Sequence, residues 1–311
     1  MKKVMDGNTA VAYGAKLARV QVVPAYPITP QSAIAETLAR FINEGSLKAK
    51  YLRAESEHSA LSAAVGASLV GARAFTATAS VGLALMNEIT GVAAGSRLPI
   101  VMAIANRALC SPWSLWCDHS DTMSVRDQGW IQLYAENCQE ALDFILIAYR
   151  VAEDPLVQLP CMVAEDGFFL SHMQDTVIVP EAEQADLYLP PRCAGYLRLD
   201  PAEPVAANIL TGPDRFTGPK YAMAEAMDRV HRVLPEAFSE FKRIFGREYS
   251  PVMQYRCEDA ETVIVALGSV NGTLRESVKE MRAAGDKVGL LRVVSYRPFP
   301  YEELRRAVGK A

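Results

Sequence analysis

Residues 50–82, KYLRAESEHSALSAAVGASLVGARAFTATASVG, contain the pattern that decides the fold of this protein. Short segments at residues 50–54 and 73–79 have the length of β-strands, and the second is rich in Ala and Thr. Between them, residues 57–71 consist mainly of Ala, Ser, Gly and Val and are predicted to form a helix. A strand, a helix and a second strand in this order place the two strands parallel in one sheet.

The same alternation extends through the first half of the chain. Further strands are predicted at residues 22–26, 99–105 and 161–164, and further helices at residues 8–20, 32–42, 83–94 and 138–152. Strands that alternate with helices of this length build a parallel sheet that is covered on both faces. The sequence therefore predicts an α/β fold with a doubly wound parallel sheet.

The chain changes character in its second half. Residues 175–220 contain many prolines and little periodicity, and they are predicted to form an irregular excursion. A long amphipathic helix is predicted at residues 221–245. A second α/β pattern follows, with strands at residues 262–267 and 287–295 around a helix at residues 274–284. About 60 residues belong to this second unit, which is small for an independent doubly wound sheet.

Composition and charge place the protein among globular proteins with a sizeable core. Half of its 311 residues are hydrophobic, and 32 basic against 36 acidic residues leave a net charge of −4. No strongly positive surface is expected, which argues against nucleic acid as a partner. The longest charge-free stretches, at residues 59–71 and 74–86, are too short and too polar to span a membrane.

The N-terminus and the cysteines indicate a cytoplasmic protein. Lys2 and Lys3 are not followed by the apolar region of a signal peptide. The six cysteines are scattered along the chain, and no pair has C-x-x-C spacing. We therefore expect free thiols rather than disulfides, and no iron–sulfur cluster held by this chain alone.

Polar residues follow four predicted strands, at the edge of the sheet where open α/β folds bind ligands. The four segments are Tyr26-Pro27-Ile28-Thr29-Pro30, Glu55-Ser56-Glu57-His58, Thr78-Ala79-Ser80-Val81-Gly82 and Asn106-Arg107-Ala108. Because neighbouring parallel strands end at the same edge, a hydroxyl, a carboxylate and a guanidinium are expected to converge there. Two of these groups have an ordinary alternative: Glu57 would suit the first turn of a helix, and Arg107 a surface ion pair.

A fifth polar segment, Asp118-His119-Ser120-Asp121, allows two interpretations. Its acids and its histidine are metal-ligand types, but three such residues on one loop lack a fourth ligand at a recognisable spacing. A hydrogen-bonded loop that lines the site is the preferred interpretation, and no metal site is predicted. Further along, Gly268 and Gly272 are expected to form a turn rather than a dinucleotide site, because the G-x-G-x-x-G pattern is missing.

Seven motifs, taken in order, give the sequence a family resemblance. They are Ala25-Tyr-Pro-Ile-Thr-Pro-Gln31, Glu55-Ser-Glu-His-Ser-Ala60, Thr78-Ala-Ser-Val-Gly-Leu-Ala-Leu-Met86, Ala105-Asn-Arg-Ala-Leu109, Asp118-His-Ser-Asp121, Asp127-Gln-Gly-Trp-Ile-Gln132 and Asp166-Gly-Phe-Phe-Leu-Ser-His172. Together they closely resemble the α subunits of pyruvate:ferredoxin oxidoreductases and, more broadly, the thiamine-diphosphate-dependent 2-oxoacid:ferredoxin oxidoreductases. The resemblance covers essentially the whole chain.

The resemblance implies a domain organisation. Residues 1–245, with the irregular excursion at residues 175–220, resemble the pyrimidine-binding domain of this thiamine-diphosphate family. Residues 255–311 resemble the start of its transketolase C-terminal-like α/β domain. Because the family's second domain is longer, this domain is expected to be incomplete in the sequence.

The resemblance also implies roles for individual residues. Glu57 matches the carboxylate that hydrogen-bonds N1′ of the cofactor's aminopyrimidine and favours the imino tautomer, whose nitrogen takes the proton from thiazolium C2. Thr29 and Arg107 match the residues that bind the 2-oxoacid, the arginine through two parallel hydrogen bonds to its carboxylate. Further cofactor contacts are assigned to Pro27, Ile28 and Ser80.

Other components of the implied reaction are not recognisable in this chain. It has neither a Gly-Asp-Gly…Asn segment for Mg²⁺ and diphosphate nor a cysteine cluster. In the family these lie on partner subunits, namely a diphosphate-binding β subunit and ferredoxin-like and γ subunits that include 4Fe-4S clusters. The implied reaction is the oxidative decarboxylation of pyruvate with CoA to acetyl-CoA and CO₂, with reduction of ferredoxin, or the reverse.

Two alternatives stay open. A paralogue acting on branched-chain or other 2-oxoacids would use the same Thr29 and Arg107. A non-catalytic scaffold would keep the fold and bind partner subunits, but it has no need of Glu57 together with those two residues. Trp113 and Trp116 lie on a loop that looks exposed, and they are expected to pack against a partner subunit.

Overall fold

The computed structural model describes residues 1–192 and 197–309. Its strands are β1 (Lys2–Met5), β2 (Val22–Ala25), β3 (Lys50–Arg53), β4 (Phe75–Thr78), β5 (Val101–Asn106), β6 (Ile131–Tyr134), β7 (Cys161–Asp166), β8 (Asp175–Ile178), β9 (Val252–Tyr255), β10 (Thr262–Ala266), β11 (Val288–Val293) and β12 (Ser295–Arg297). Its helices are α1 (Gly7–Leu17), α2 (Ser32–Asn43), α3 (Glu57–Leu69), α4 (Ser80–Leu85), α5 (Asn87–Gly95), α6 (Ser120–Ser124), α7 (Cys138–Ala152), α8 (Ala182–Tyr188), α9 (Pro213–Phe245), α10 (Val270–Ala283) and α11 (Tyr301–Val308). Cys193, predicted to be a free thiol, and residues 310–311 of the predicted second domain lie outside the described residues.

The main sheet is parallel, as predicted. Strands β4, β5, β7 and β6 lie side by side in this order, and each neighbouring pair is parallel. The parallel pair β2–β3 joins the β4 edge through a bridge between Val22 and Ala74. On the opposite edge, β12 pairs antiparallel with β6. The resulting order is β3-β2-β4-β5-β7-β6-β12.

Helices cover both faces of this sheet, which confirms the doubly wound arrangement. Along β5, Val101 and Ala103 belong to one core together with residues of α1 and α7. Met102 and Ile104 belong to the other core together with residues of α3 and α5. Burial on both faces explains why this strand is a continuous apolar run rather than an alternating one.

Small residues allow the helices to approach each other closely. A Cβ atom built on Gly14 of α1 would lie 2.6 Å from the carbonyl oxygen of Leu142 and 2.8 Å from Cβ of Ile145 in α7. A larger side chain at this position would therefore push the two helices apart. Gly14 therefore permits the close contact between α1 and α7.

The predicted irregular excursion at residues 175–220 is wrong in two places. Its first residues form β8, which pairs antiparallel with β1, and α8 follows. Its last residues belong to α9, which begins at Pro213 instead of residue 221. Pro213 occupies the first turn, where a proline costs no helical hydrogen bond. Strand β8 has its partner near the N-terminus, so local periodicity does not reveal it.

The last part of the chain forms a smaller α/β unit. Strands β10, β11 and β9 make a three-stranded sheet in which β10 and β11 are parallel. The chain then returns to the main sheet, where Ser295 of β12 lies opposite Leu133 of β6. A buried ion cluster strengthens this junction, because Arg292 donates hydrogen bonds of 2.8 Å to both Glu136 and Glu140.

Helix α9 is 33 residues long and carries many charged side chains. Neither α9 nor another helix within the described ranges has an apolar stretch long enough to cross a membrane.

Candidate active site

Four segments converge at the carboxyl edge of the main sheet, where β3, β2, β4 and β5 lie next to one another. The segment after β2 contacts the segment after β5, because Arg107 Nη1 donates a 2.7 Å hydrogen bond to the carbonyl oxygen of Thr29. Arg107 is buried, and its Nε has no hydrogen-bond partner among the described residues. Thr29 itself is exposed at the rim. The two residues lie together, as the strand pattern predicts.

Glu57 is the first residue of α3, and it is buried. Ser56 caps this helix by accepting a hydrogen bond from the amide of Ser59, so capping does not require Glu57. The Glu57 carboxylate lies over Gly82, where a built Cβ would be 2.6 Å from Glu57 Oε1 and 2.5 Å from Thr78 Oγ1. Within residues 1–192 and 197–309 the carboxylate forms no hydrogen bond. A buried acid without a partner favours a ligand-binding role over the helix-dipole alternative.

Asp121 connects these segments, and sequence reasoning assigned it no individual role. It is fully buried, and its Oδ2 accepts hydrogen bonds from the amides of Ser80 at 2.9 Å and Arg107 at 3.0 Å. Its Oδ1 accepts a 2.8 Å hydrogen bond from Asn106 Nδ2. Burial raises the pKa of Asp121, while these N–H donors oppose the shift. The hydrogen-bonded-loop interpretation is therefore correct for Asp121, whose only sequence signal was an acid in a short polar segment.

The three further residues assigned to cofactor binding lie at two depths in the site. Ser80 is buried, and its hydroxyl donates a 2.6 Å hydrogen bond to the carbonyl oxygen of Ala108. Its side chain therefore supports the segment after β5. Pro27 is exposed and Ile28 is half-buried, so they offer apolar surface at the rim.

Asp166, the last residue of β7, joins the same sheet edge to the second α/β unit. One carboxylate oxygen lies 2.8 Å from His119 Nε2, and the other accepts hydrogen bonds from the amide and the hydroxyl of Ser269 at 2.9 and 2.5 Å. Burial opposes ionisation of Asp166, but the hydrogen bonds from His119 and Ser269 outweigh it and lower its pKa. Gly268 has a φ of 75°, which is the turn conformation expected for this segment.

An aromatic cluster borders this junction. Trp116 lies against Phe168 and Phe169, with ring centroids 5.2 and 5.6 Å apart, and Phe168 stacks on His172 at 4.8 Å. Trp113 is 74% exposed and Trp116 is 59% exposed. Exposed apolar groups in a cluster are typical of interaction surfaces. Packing of both tryptophans against a partner subunit stays a prediction.

The site combines groups that suit a ligand with both a basic ring nitrogen and an anionic group. Glu57 offers a buried acceptor, Arg107 an unpartnered Nε, and Thr78 a buried hydroxyl without a partner in the described part of the chain. A carboxylate can share a proton with a weakly basic ring nitrogen. A guanidinium can bind a carboxylate through charge-assisted hydrogen bonds.

A doubly wound sheet with these groups at its carboxyl edge defines an α/β protein with a candidate ligand-binding site at that edge. Two solved structures have folds similar to that of this chain. A 2-oxoglutarate:ferredoxin oxidoreductase from Magnetococcus marinus aligns with a TM-score of 0.79 and 22% identity, over 99% of this chain and 56% of that chain. An inactive split-gene transketolase tetramer aligns with a TM-score of 0.57 and 15% identity, over 97% of this chain and 76% of that chain. This chain therefore shares its fold, a doubly wound sheet followed by a smaller α/β unit, with these two proteins.

Sequence comparison then identifies the family. The family described as "Pyruvate flavodoxin/ferredoxin oxidoreductase, thiamine diP-bdg" matches residues 13–239, and "Pyruvate:ferredoxin oxidoreductase core domain II" matches residues 260–311. This chain belongs to the pyruvate:ferredoxin oxidoreductase family, as its motifs predict.

Three relatives show how strong this similarity is. The pyruvate synthase subunit PorA of Methanothermobacter thermautotrophicus is 52% identical over 309 residues, which cover 99% of this chain and 80% of the relative. The PorA subunit of Pyrococcus furiosus is 49% identical over 311 residues, which cover 100% of this chain and 78% of the relative. The ketoisovalerate oxidoreductase subunit VorA of Pyrococcus horikoshii is 48% identical over 305 residues, which cover 98% of this chain and 77% of the relative.

Proposed function

We propose that this chain is the subunit of a pyruvate:ferredoxin oxidoreductase that binds the pyrimidine half of thiamine diphosphate and the substrate. With partner subunits it catalyses the CoA-dependent oxidative decarboxylation of pyruvate, or the reverse reaction. The observation that carries this proposal is the buried Glu57 carboxylate beside the Arg107–Thr29 pair, at one edge of the sheet. The similarity to pyruvate synthase subunits of two organisms supports pyruvate as the substrate.

In this proposal, Glu57 hydrogen-bonds N1′ of the aminopyrimidine and shares a proton with it. Glu57 is positioned by the start of α3, and the absence of a side chain at Gly82 leaves room for its carboxylate. The carboxylate has no competing partner among the described residues, which fits this role. Bound thiamine diphosphate supplies the electron sink for decarboxylation. Pro27, Ile28 and Ser80 are proposed to make the further contacts with the cofactor.

Arg107 and Thr29 are proposed to bind the 2-oxoacid. One guanidinium nitrogen of Arg107 is used to hold the backbone of Thr29, and its buried Nε is left for the substrate carboxylate. Because Arg107 is buried, this ion pair forms away from water, where it is stronger and more selective. The hydroxyl of Thr29, exposed at the rim, donates to an oxygen of the oxoacid.

A second candidate is a paralogue that acts on a branched-chain 2-oxoacid. The 48% identity to a ketoisovalerate oxidoreductase subunit favours keeping it, since it lies close to the values for the pyruvate synthase subunits. Arg107 and Thr29 would serve either substrate, because both substrates have the same 2-oxoacid group.

The remaining components are proposed to come from partners. Mg²⁺ and the diphosphate are held by a diphosphate-binding β subunit, and the 4Fe-4S clusters belong to ferredoxin-like and γ subunits that pass electrons to ferredoxin. CoA is the co-substrate; the 2-oxoglutarate:ferredoxin oxidoreductase of similar fold has coenzyme A bound.

Residues 1–245 form the pyrimidine-binding domain and residues 255–311 belong to the transketolase C-terminal-like domain. Free thiols support a cytoplasmic location.

Reconstitution with the partner subunits tests the proposal. The complex is assayed with pyruvate, 2-oxoisovalerate and 2-oxoglutarate in the presence of CoA and a low-potential electron acceptor. We expect the highest kcat/KM with pyruvate. A preference for 2-oxoisovalerate would instead establish the second candidate. A complex that binds thiamine diphosphate but turns over none of these oxoacids would overturn both.

A further inference from the structure

A cysteine, a histidine and an aspartate meet beside the candidate active site. The potential ligand atoms of Cys117, His119 and Asp166 all lie within 4.8 Å of one another. Cys117 and His119 are separated by one residue on the segment after β5, and Asp166 ends β7. The residue between them, Asp118, points elsewhere and accepts a hydrogen bond from the amide of Ser120. Alternate side chains of this segment therefore face a common point that local spacing did not reveal.

The surroundings hold these side chains in place. The ring of His119 packs edge-on against Tyr134, with centroids 5.3 Å apart, and its Nε2 lies 2.8 Å from Asp166. The other oxygen of Asp166 is held by Ser269. A Cβ built on Gly268 would lie 2.8 Å from Asp166 Oδ1 and 3.0 Å from His119 Cε1. The glycine thus leaves open the space that the cluster occupies.

The cluster lacks a permanent positive charge. Asp166 and its neighbour Asp121 are both buried, and in the described part of the chain neither carboxylate pairs with a lysine or an arginine side chain. Ionisation of the Cys117 thiol would add another negative charge to the same place. Buried anions in proteins are normally paired or bind a metal. A divalent cation at this point would balance the carboxylate and the thiolate together.

The ligand types select the metal. One sulfur, one imidazole nitrogen and one carboxylate oxygen suit zinc, whereas Mg²⁺ and Ca²⁺ require oxygen ligands. Zinc bonds of about 2.0–2.3 Å place tetrahedral ligands roughly 3.3–3.8 Å apart. The ligand atoms already lie within 4.8 Å of one another, so shifts on the order of 1 Å bring them to these distances.

We propose that Cys117, His119 and Asp166 bind one Zn²⁺ ion, with a water molecule as the fourth ligand. Binding releases the thiol proton of Cys117 to solvent, and the ring proton of His119 moves from Nε2 to Nδ1. Two metal bonds then replace the His119–Asp166 hydrogen bond. The ion ties the segment after β5 to the end of β7 and, through Ser269, to the second α/β unit.

Cobalt substitution in the purified chain tests this site. Metal-free chain is given one equivalent of Co²⁺ or Zn²⁺, and the bound metal is measured by elemental analysis after dialysis. We expect one ion per chain and, with Co²⁺, a thiolate-to-metal charge-transfer absorption band. Cys117→Ser should abolish the band and weaken zinc binding by roughly tenfold or more. Cys110→Ser, which removes an exposed thiol of the same loop, is the matched control and should retain both.

A second measurement does not depend on a variant folding. In the wild-type chain, Zn²⁺ should slow the alkylation of Cys117, mapped by mass spectrometry, and leave that of Cys110 unchanged. Two outcomes would overturn the proposal. One is a folded wild-type chain that retains no metal and shows no protection, and the other is a cobalt band that survives in Cys117→Ser. Neither measurement involves oxoacid turnover, so a failed activity assay would not affect the result.

Discussion

At the scale of single residues, the proposed activity depends on the contact of Glu57 with Gly82. The missing side chain of Gly82 is what lets the Glu57 carboxylate and the Thr78 hydroxyl occupy the space above α4. Both residues are within the motifs that mark the family, but their contact is visible only in three dimensions. Glu57 contributes a charge to the site, and Gly82 leaves the space for it.

Glu57→Gln separates chemistry from structure. Glutamine is nearly isosteric and keeps the first turn of α3 intact, so the free energy of unfolding should change by about 1 kcal/mol or less. It cannot share an acidic proton with a ring nitrogen, so turnover and hydrogen–deuterium exchange at cofactor C2 in the assembled complex should fall by about 10²–10⁴-fold. Cofactor binding should weaken far less. Wild-type exchange and turnover in this variant would remove Glu57 from the chemistry.

Gly82→Ala should damage the same site from the other side. The added methyl group would meet Glu57 Oε1 and Thr78 Oγ1 at 2.6 and 2.5 Å, so the carboxylate must move. A displacement of this size should lower kcat by about 10²-fold at a cost of roughly 1–3 kcal/mol in stability. Gly66→Ala in α3, where a Cβ meets nothing within 4 Å, is the control and should keep full activity. Equal kinetics in the two variants would contradict the geometry.

At the scale of elements, β7 brings two adjacent acids to opposite faces of the main sheet. Because side chains alternate along a strand, Asp166 faces His119 whereas Glu165 faces the start of α1 at Gly7. Both carboxylate oxygens of Glu165 are buried without a hydrogen-bond partner among the described residues. Burial, and then the nearby charges of Asp6 and Asp166, raise the pKa of Glu165 to about 8.

This raised pKa predicts a pH dependence of stability. The folded chain keeps the Glu165 proton up to about pH 8, whereas the unfolded carboxyl ionises near its ordinary pKa of 4.5. The folded state therefore binds more protons between these values, and the free energy of unfolding falls with rising pH, by at most about 1.4 kcal/mol per unit. Glu165→Gln should remove this loss. At pH 8 its free energy of unfolding should exceed that of the wild type by an amount on the order of a few kcal/mol.

Denaturant unfolding of both chains across this pH range measures the difference. The advantage of Glu165→Gln should shrink as the pH falls to 4.5 and below, where the unfolded wild-type carboxyl also takes up a proton. A stability difference that stays constant with pH would show that Glu165 does not titrate in this way.

At the scale of the whole molecule, charge joins the two α/β units. Arg292 of β11 donates to Glu136, to Glu140 and to the carbonyl oxygen of Tyr134, all of which belong to the first unit. Arg275 of α10 also pairs with Glu136, but from a partly exposed position. A buried network of this kind orients the second unit, because the buried carboxylates of Glu136 and Glu140 are paired only when Arg292 lies between them.

Arg292→Met should therefore destabilise the full chain strongly. It leaves two buried carboxylates without their shared cation, which costs about 3–5 kcal/mol in the free energy of unfolding. Arg275→Met removes a partly exposed partner of the same Glu136 and should cost about 1 kcal/mol or less. Chemical denaturation of the two variants measures both values. If both variants lost a similar amount of unfolding free energy, burial of the ion cluster would not determine how much it stabilises the fold.

Local patterns in the sequence determined five strands of the main sheet (β2, β3, β4, β5 and β7), the segments at its carboxyl edge and the family. Strand β5 is a continuous apolar run, and α3 has a serine cap followed by small residues, so neighbouring residues alone specify both elements. Parallel strands end at one edge, so the proximity of Thr29 and Arg107 followed from strand order. The roles of these residues came from the resemblance of their motifs.

Only the tertiary structure decided the features that join distant parts of the chain. The pairings of β8 with β1 and of β12 with β6, the hydrogen bond that Asp121 accepts from Ser80, and the approach of Cys117 to Asp166 all belong to this group. Periodicity and capping report interactions over a few residues, and they carry no information about which remote segment will lie opposite. Those contacts depend on how the helices and sheets pack, because packing decides which buried polar groups meet.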